Sequence, residues 1–165
     1  MNGAHWHLVL NHLPIIIPIA ALVILLISYA VDKPDFVRAA YLLFVLGALA
    51  TLPAFLTGEG AEEVVEGLAG IDENYIHVHE EAAEVFAFGN YALGLLALTA
   101  LFFGYWKKQL SMYPKIVVTL FAFMVLFLGK QVGTTGGEIR HTEIRSSTTV
   151  GSGGAIEAQE EGDDD

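Results

Sequence analysis

The sequence predicts an all-α, polytopic membrane protein. Four transmembrane helices form an up-down-up-down bundle with both termini on the periplasmic side. Three observations carry the prediction. First, the 165 residues are 54% hydrophobic and only 16% charged, with a mean hydropathy of +0.53, more apolar surface than a soluble domain of this size can hide. Second, four apolar segments are each near the ~20 residues that cross a ~30 Å hydrocarbon core as a helix. Third, the segment ends alternate between histidine/glutamate-rich and lysine-rich stretches. All six histidines, and every acidic residue except Asp32 and Asp35, fall on one side.

The spans are expected at 8–29, 37–57, 82–106 and 116–132, within a single transmembrane domain over 1–145. Apolar/polar alternation is missing and the runs are too long for barrel strands, so helices are favoured. Span one is preceded by Asn2, His5, Trp6 and His7, without Lys, Arg or a small-residue cleavage site, and reads as a retained span. Pro14 and Pro18 should kink it and free carbonyls, which is tolerable where neighbouring helices or a cofactor surround the bend. Between spans two and three, Ala61, Val64, Val65 and Leu68 recur at helical spacing against Glu62, Glu63 and Glu66. That pattern predicts a short amphipathic helix over the bundle mouth. Span four has the shortest uninterrupted apolar run, and Gly133, Gly136 and Gly137 argue against its continuing as a helix. The segment 146–165, rich in Ser, Thr, Gly and acid, reads as a disordered acidic tail.

Orientation follows from Lys and Arg. Lys33 and Arg38 lie in the 1–2 loop, and Lys107, Lys108 and Lys115 in the 3–4 loop. The positive-inside rule makes those short loops cytoplasmic. Trp6, Tyr75, Tyr105, Trp106 and Tyr113 sit near span ends, as an aromatic belt requires. The net charge of −11 leaves no basic patch for nucleic acid. With no cysteine, disulfides, thiolate metal sites, iron–sulfur ligation and CxxCH haem attachment are excluded.

Polar groups converge on the outer end. His12 is the most informative, lying inside an apolar span beside Asn11 and before Pro14. Ionisable residues there usually turn inward with a partner. The competing reading is a structural histidine bonded to a carbonyl freed near Pro14. At ~100° per residue, His79, Ala83, Phe86 and Asn90 share one face of span three, and His77, Glu80, Glu81 and Glu84 the opposite one. Asn90, polar at mid-membrane depth, favours the His79 face as inward; the other phase would bring a His/Glu/Glu metal face inside. Glu80 and Glu81 also suit a helix start. Glu59 closes span two, and Glu138-x-x-His141 has the spacing of a carboxylate–imidazole pair on one helical face. Arg140 beside it can neutralise a propionate or carboxylate.

His7-x4-His12-x-Pro14, Thr57-Gly58 closing span two, His79-x3-Ala83 opening span three, and Gly136-Gly137-Glu138 after span four occur in that order. The pattern resembles a large bacterial family of four-helix membrane proteins carried as a domain of unknown function. It covers nearly the whole chain from His7 to about His141. Ala-His-Trp-His, Asn-His-Leu-Pro, Thr-Gly-Glu-Gly-Ala-Glu-Glu and Gly-Gly-Glu-Ile-Arg-His look like the Bacteroidetes-type branch. Members of that branch are sometimes fused to cytochrome c modules, which implies respiratory electron transfer as a setting. This chain has no c-type haem motif, so any such partner is a separate protein.

Three functions fit. The first is an electron-transfer-linked subunit of the bacterial inner membrane. It holds haem b between spans one and three through His12 and His79, with Arg140 near a propionate. Gly47, Gly89, Gly94, Gly129 and Gly133 offer thin helix surfaces for a macrocycle or for close helix packing. The second is a non-haem Zn, Fe or Cu site drawn from His12, His77, His79, Glu59, Glu84, Glu138 and His141. The third is a cofactor-free docking subunit of a membrane complex. No nucleophile elbow or phosphate loop is present, which argues against a stand-alone enzyme.

Overall fold

The computed structural model describes residues 2–31, 33–68, 71–106 and 112–145. Lys107, Lys108, the side chains of Tyr105 and Trp106, and the acidic tail lie outside the described residues. Six α-helices follow in order: α1 Gly3–Leu10, α2 Leu13–Ala30, α3 Pro34–Leu56, α4 Gly58–Glu66, α5 Glu73–Trp106 and α6 Met112–Arg140, before a 3₁₀ turn at Thr142–Ile144. Four stretches are long and apolar enough to cross a membrane, and among the described residues there is no strand. Leu42, Leu49, Phe88, Leu95, Leu120 and Phe127 all point outward, each more than half exposed. An apolar exterior of this extent is solvated by lipid, the profile of a multi-pass membrane protein.

Span one is two helices. Asn2 caps α1 by accepting from the His5 N–H at 3.1 Å, and α1 ends where the Asn11 N–H donates to the His7 carbonyl. After the turn at Asn11–His12, Pro14 falls in the first turn of α2, where its missing N–H costs nothing. Pro18 lies inside α2 and cannot donate to the Pro14 carbonyl four residues back. The bundle supplies the substitute: the Asn90 amide donates to that carbonyl at 3.2 Å. The same amide donates to Thr51 Oγ1 at 2.8 Å and lies 3.4 Å from the Gly47 carbonyl. Asn90 therefore ties α2, α3 and α5 at one buried point, and the expected release of carbonyls by the prolines is taken up by a neighbouring helix.

α2 packs on α3, α3 on α5 and α5 on α6, with a smaller contact between α6 and α2. Tyr41, Phe44, Leu25, Leu93, Val118 and Val125 fill the centre. Lipid tails are as apolar as these side chains, so close fit and polar contacts hold the helices together. Glycines make the fit close. A Cβ on Gly47 would stand 2.8 Å from the Pro18 ring, and one on Gly94 would collide with the Ala48 Cβ. The mid-bundle glycines are thus filled by helix packing and leave no slot for a macrocycle there.

α5 and α6 extend well past their apolar runs. The glycines of α6 do not end it, contrary to the sequence expectation. Each glycine costs a helix about 0.5–1 kcal/mol relative to alanine, but contacts with α5 offset this. Arg145 folds back to donate to the Glu138 and Ile139 carbonyls at 2.7 and 3.1 Å, and its guanidinium stacks 4.1 Å from the Tyr75 ring centre. It caps α6 and fastens it to the start of α5. The expected amphipathic helix is α4, which packs on α1, their backbones nearly touching at Gly3 and Gly60.

At the opposite end, Lys115 is buried and donates to the Ser28 carbonyl in the last turn of α2 at 2.9 Å, with its Nζ 3.8 Å over the Tyr29 ring. The Tyr29 hydroxyl bonds Thr119 Oγ1 at 3.0 Å, and Thr119 donates to the Lys115 carbonyl at 2.7 Å. A cation at a helix C-terminus is favourably placed.

Candidate functional site

Two imidazoles lie near one another at the end of the bundle that carries the N-terminus. His7 on α1 is half-buried, and its Nδ1 lies 3.1 Å from the Ala54 carbonyl and 3.4 Å from Thr57 Oγ1. Ala54 is in the last turn of α3, where carbonyls lack helical partners; its oxygen also accepts from the Thr57 hydroxyl at 3.0 Å. A carbonyl only accepts, so the His7 proton sits on Nδ1. His79 on α5 is also half-buried, with its Nδ1 3.1 Å from Thr135 Oγ1 and directed at the Val132 carbonyl as well. Thr135 itself donates to Val132 at 3.2 Å. His79 is therefore also protonated on Nδ1.

The consequence is shared. Each ring is anchored through Nδ1 and keeps the lone pair of Nε2, which makes no hydrogen bond among the described residues. The rings are close enough for their charges to act on one another. A histidine whose Nδ1–H is held by a backbone carbonyl is the usual arrangement of a metal-ligating imidazole, because the anchor fixes both tautomer and ring direction. Glycines shape the surroundings. A Cβ on Gly136 would stand 2.9 Å from His79 Cε1, while around Gly58 only His7 approaches, at 3.9 Å. Gly133 has open space beside it.

The other sequence-chosen residues fall in different places. His12 does not turn inward: it stands at the α1–α2 break, exposed, without a side-chain cap, though near enough to His7 for their charges to interact. The phase of α5 is as Asn90 suggested. Ile76, Phe86, Ala87 and Asn90 are buried and His79 faces inward, while His77, Glu80, Glu81 and Glu84 are exposed. His77 and Glu81 lie 3.6 Å apart on the outer face, a contact worth little in solvent. Glu59 is exposed. His141 caps the end of α6, its N–H still donating to the Gly137 carbonyl at 2.9 Å, and its ring lies 2.9 Å from Glu143. Arg140 is exposed at the same end.

Among the described residues, no three His, Asp or Glu side chains gather closely enough to hold one metal ion. The Glu62 and Glu80 carboxyl groups lie near one another. His7 is the residue that sequence reasoning passed over in favour of His12. Its signal was faint: Thr57-Gly58 supplies both the hydroxyl and the bare backbone that its ring needs. Comparison with protein families, curated proteins and solved structures finds no match to this chain.

Proposed function

We propose that the chain is an electron-transfer-linked subunit of the bacterial inner membrane, with four spans running up-down-up-down and both termini periplasmic. On this reading His7 and His79 hold a b-type haem at the periplasmic mouth. The observation that carries it is the pair of imidazoles, each anchored through Nδ1 to an acceptor on a neighbouring helix and each presenting Nε2 at the same end. Two unspent nitrogens on separate helices would serve as the haem's protein ligands. The lack of a third clustered donor favours that over a bare-ion site. When bound, such a haem supplies a one-electron couple.

The protein's own part is positional. Ala54 and Thr57 set the His7 ring; Thr135, Val132 and Gly136 set the His79 ring. Arg140, exposed at the same end, offers a positive charge to a propionate. Lys33, Arg38 and Lys115 at the far end support the orientation. The resemblance to the bacterial four-helix family, with its cytochrome c fusions, supports a separate cytochrome c-type protein as the exchange partner.

The test is an absorption spectrum of the detergent-purified full chain, oxidised and dithionite-reduced, with elemental analysis. A Soret band is expected, lost in His7→Ala and His79→Ala and kept in His12→Ala. Purified protein without a Soret band, from haem-sufficient cells, overturns the haem reading. Stoichiometric zinc, iron or copper in that preparation would replace haem with a bare ion.

A further inference from the structure

Below the histidine pair, two side-chain oxygens are sealed from solvent and accept no hydrogen bond among the described residues: Asn11 Oδ1 and Asn90 Oδ1. The orientation of Asn90 is settled by its partners. Thr51 gives its one hydroxyl hydrogen to the Gly47 carbonyl at 3.0 Å, so it can only accept from Asn90. The Pro14 and Gly47 carbonyls are acceptors as well. Turning the amide over would set Oδ1 against three acceptors. The oxygen therefore points away from this cluster, and exchanging the two amide atoms cannot satisfy it.

Asn11 is one helical turn below His7, and Pro14, whose carbonyl Asn90 holds, follows three residues later in the first turn of α2. His7, Asn11 and the Pro14–Asn90 bond thus descend in order from the mouth to the middle of α5. Beyond Asn90 the core turns apolar, with Leu93, Ala97, Leu25 and Phe44 all fully buried.

We infer that Asn11 Oδ1 and Asn90 Oδ1 bind internal water admitted from the histidine end, forming a one-sided aqueous path that stops at mid-bundle. Each oxygen needs a small donor. Neither bonds to a carboxylate that would balance a metal cation, so the donor is neutral. Internal water settles on buried polar groups of this kind and leaves apolar cavities dry, which fixes both the inner limit of the path and its entrance. This inference rests on the asparagines and stands whether or not the histidines hold a haem.

Radiolytic hydroxyl-radical footprinting of the detergent-purified full chain, read by mass spectrometry, tests it, because radicals generated from internal water mark the side chains beside it. Pro14 and Phe86 are buried, yet oxidation several-fold above that of Leu93 and Phe44 is expected. Asn90→Leu should abolish it at both sites while leaving the exposed Trp6 unchanged. If that variant fails to fold, Asn11→Leu, nearer the mouth, should lower oxidation of Pro14. Wild-type Pro14 and Phe86 as inert as Leu93 and Phe44 would overturn the inference, as would oxidation that both variants leave unaltered.

Discussion

The two ends of the bundle are polar in opposite ways. At the Lys115 end, ammonium, phenol and hydroxyl are spent on one another or on the last turn of α2: Lys115 on Ser28 and the Tyr29 ring, Tyr29 on Thr119, Thr119 on the Lys115 carbonyl. At the histidine end, each ring spends one nitrogen on a neighbouring helix and keeps the other. Buried polar groups are normally paired, and a closed network mainly specifies packing. The two ends thus differ in which polar atoms keep a free valence once the helix-to-helix anchors are made.

The largest expected effect separates the ends outright. On the proposed haem reading, His7→Ala or His79→Ala should remove the Soret band completely, while Lys115→Met leaves it unchanged; loss of the band in Lys115→Met would erase the distinction. The same Lys115 substitution should lower stability by about 1–3 kcal/mol, the scale of a buried hydrogen bond from a charged donor, measured by unfolding in mixed micelles. Gly136→Ala sharpens the account of the histidine end. Its new methyl presses on His79 Cε1, so cofactor affinity should fall by about tenfold, equivalent to ~1.4 kcal/mol. Helical stability should hold or rise, since alanine favours the helix. An unchanged affinity would mean that the ring direction does not matter.

The smallest effect concerns pH at the end of α6. Glu143 is held below the ordinary carboxylate range by its own backbone N–H and then by the His141 ring. A depressed carboxylate stabilises the fold above its unfolded pKa and loses that contribution as pH falls through the folded value. The 3₁₀ turn at Thr142–Ile144 should therefore loosen only in acid, below the usual glutamate range. An NMR titration of Glu143 in wild type and His141→Ala measures this; a larger downward shift in the variant than in wild type would contradict it.

Much of this was legible before folding. Hydropathy marked four spans, and charge sorted their ends. Asn90 revealed the phase of α5, since a polar amide at mid-depth must face protein, and that phase brought His79 inward with it. The choice of His12 over His7 was not legible in the same way. It depends on the packing of α1 against α3, which sets His7 on the Ala54 carbonyl and the Thr57 hydroxyl. Nor was the length of α6, because glycine-rich sequence is intrinsically poor helix and only contact with His79, Tyr75 and Arg145 keeps it wound.

The sequence alone therefore determined the class of molecule, its spans and the end at which its polar groups collect. Those properties are sums over many residues, governed by transfer free energy and by charge. The tertiary structure decided which imidazoles lie near one another, which nitrogens stay unspent and how far polarity reaches toward Asn90. Those depend on single contacts between helices distant in the chain: the Ala54 carbonyl on His7, Thr135 on His79, and the Pro14 carbonyl that Pro18 cannot bond and Asn90 does.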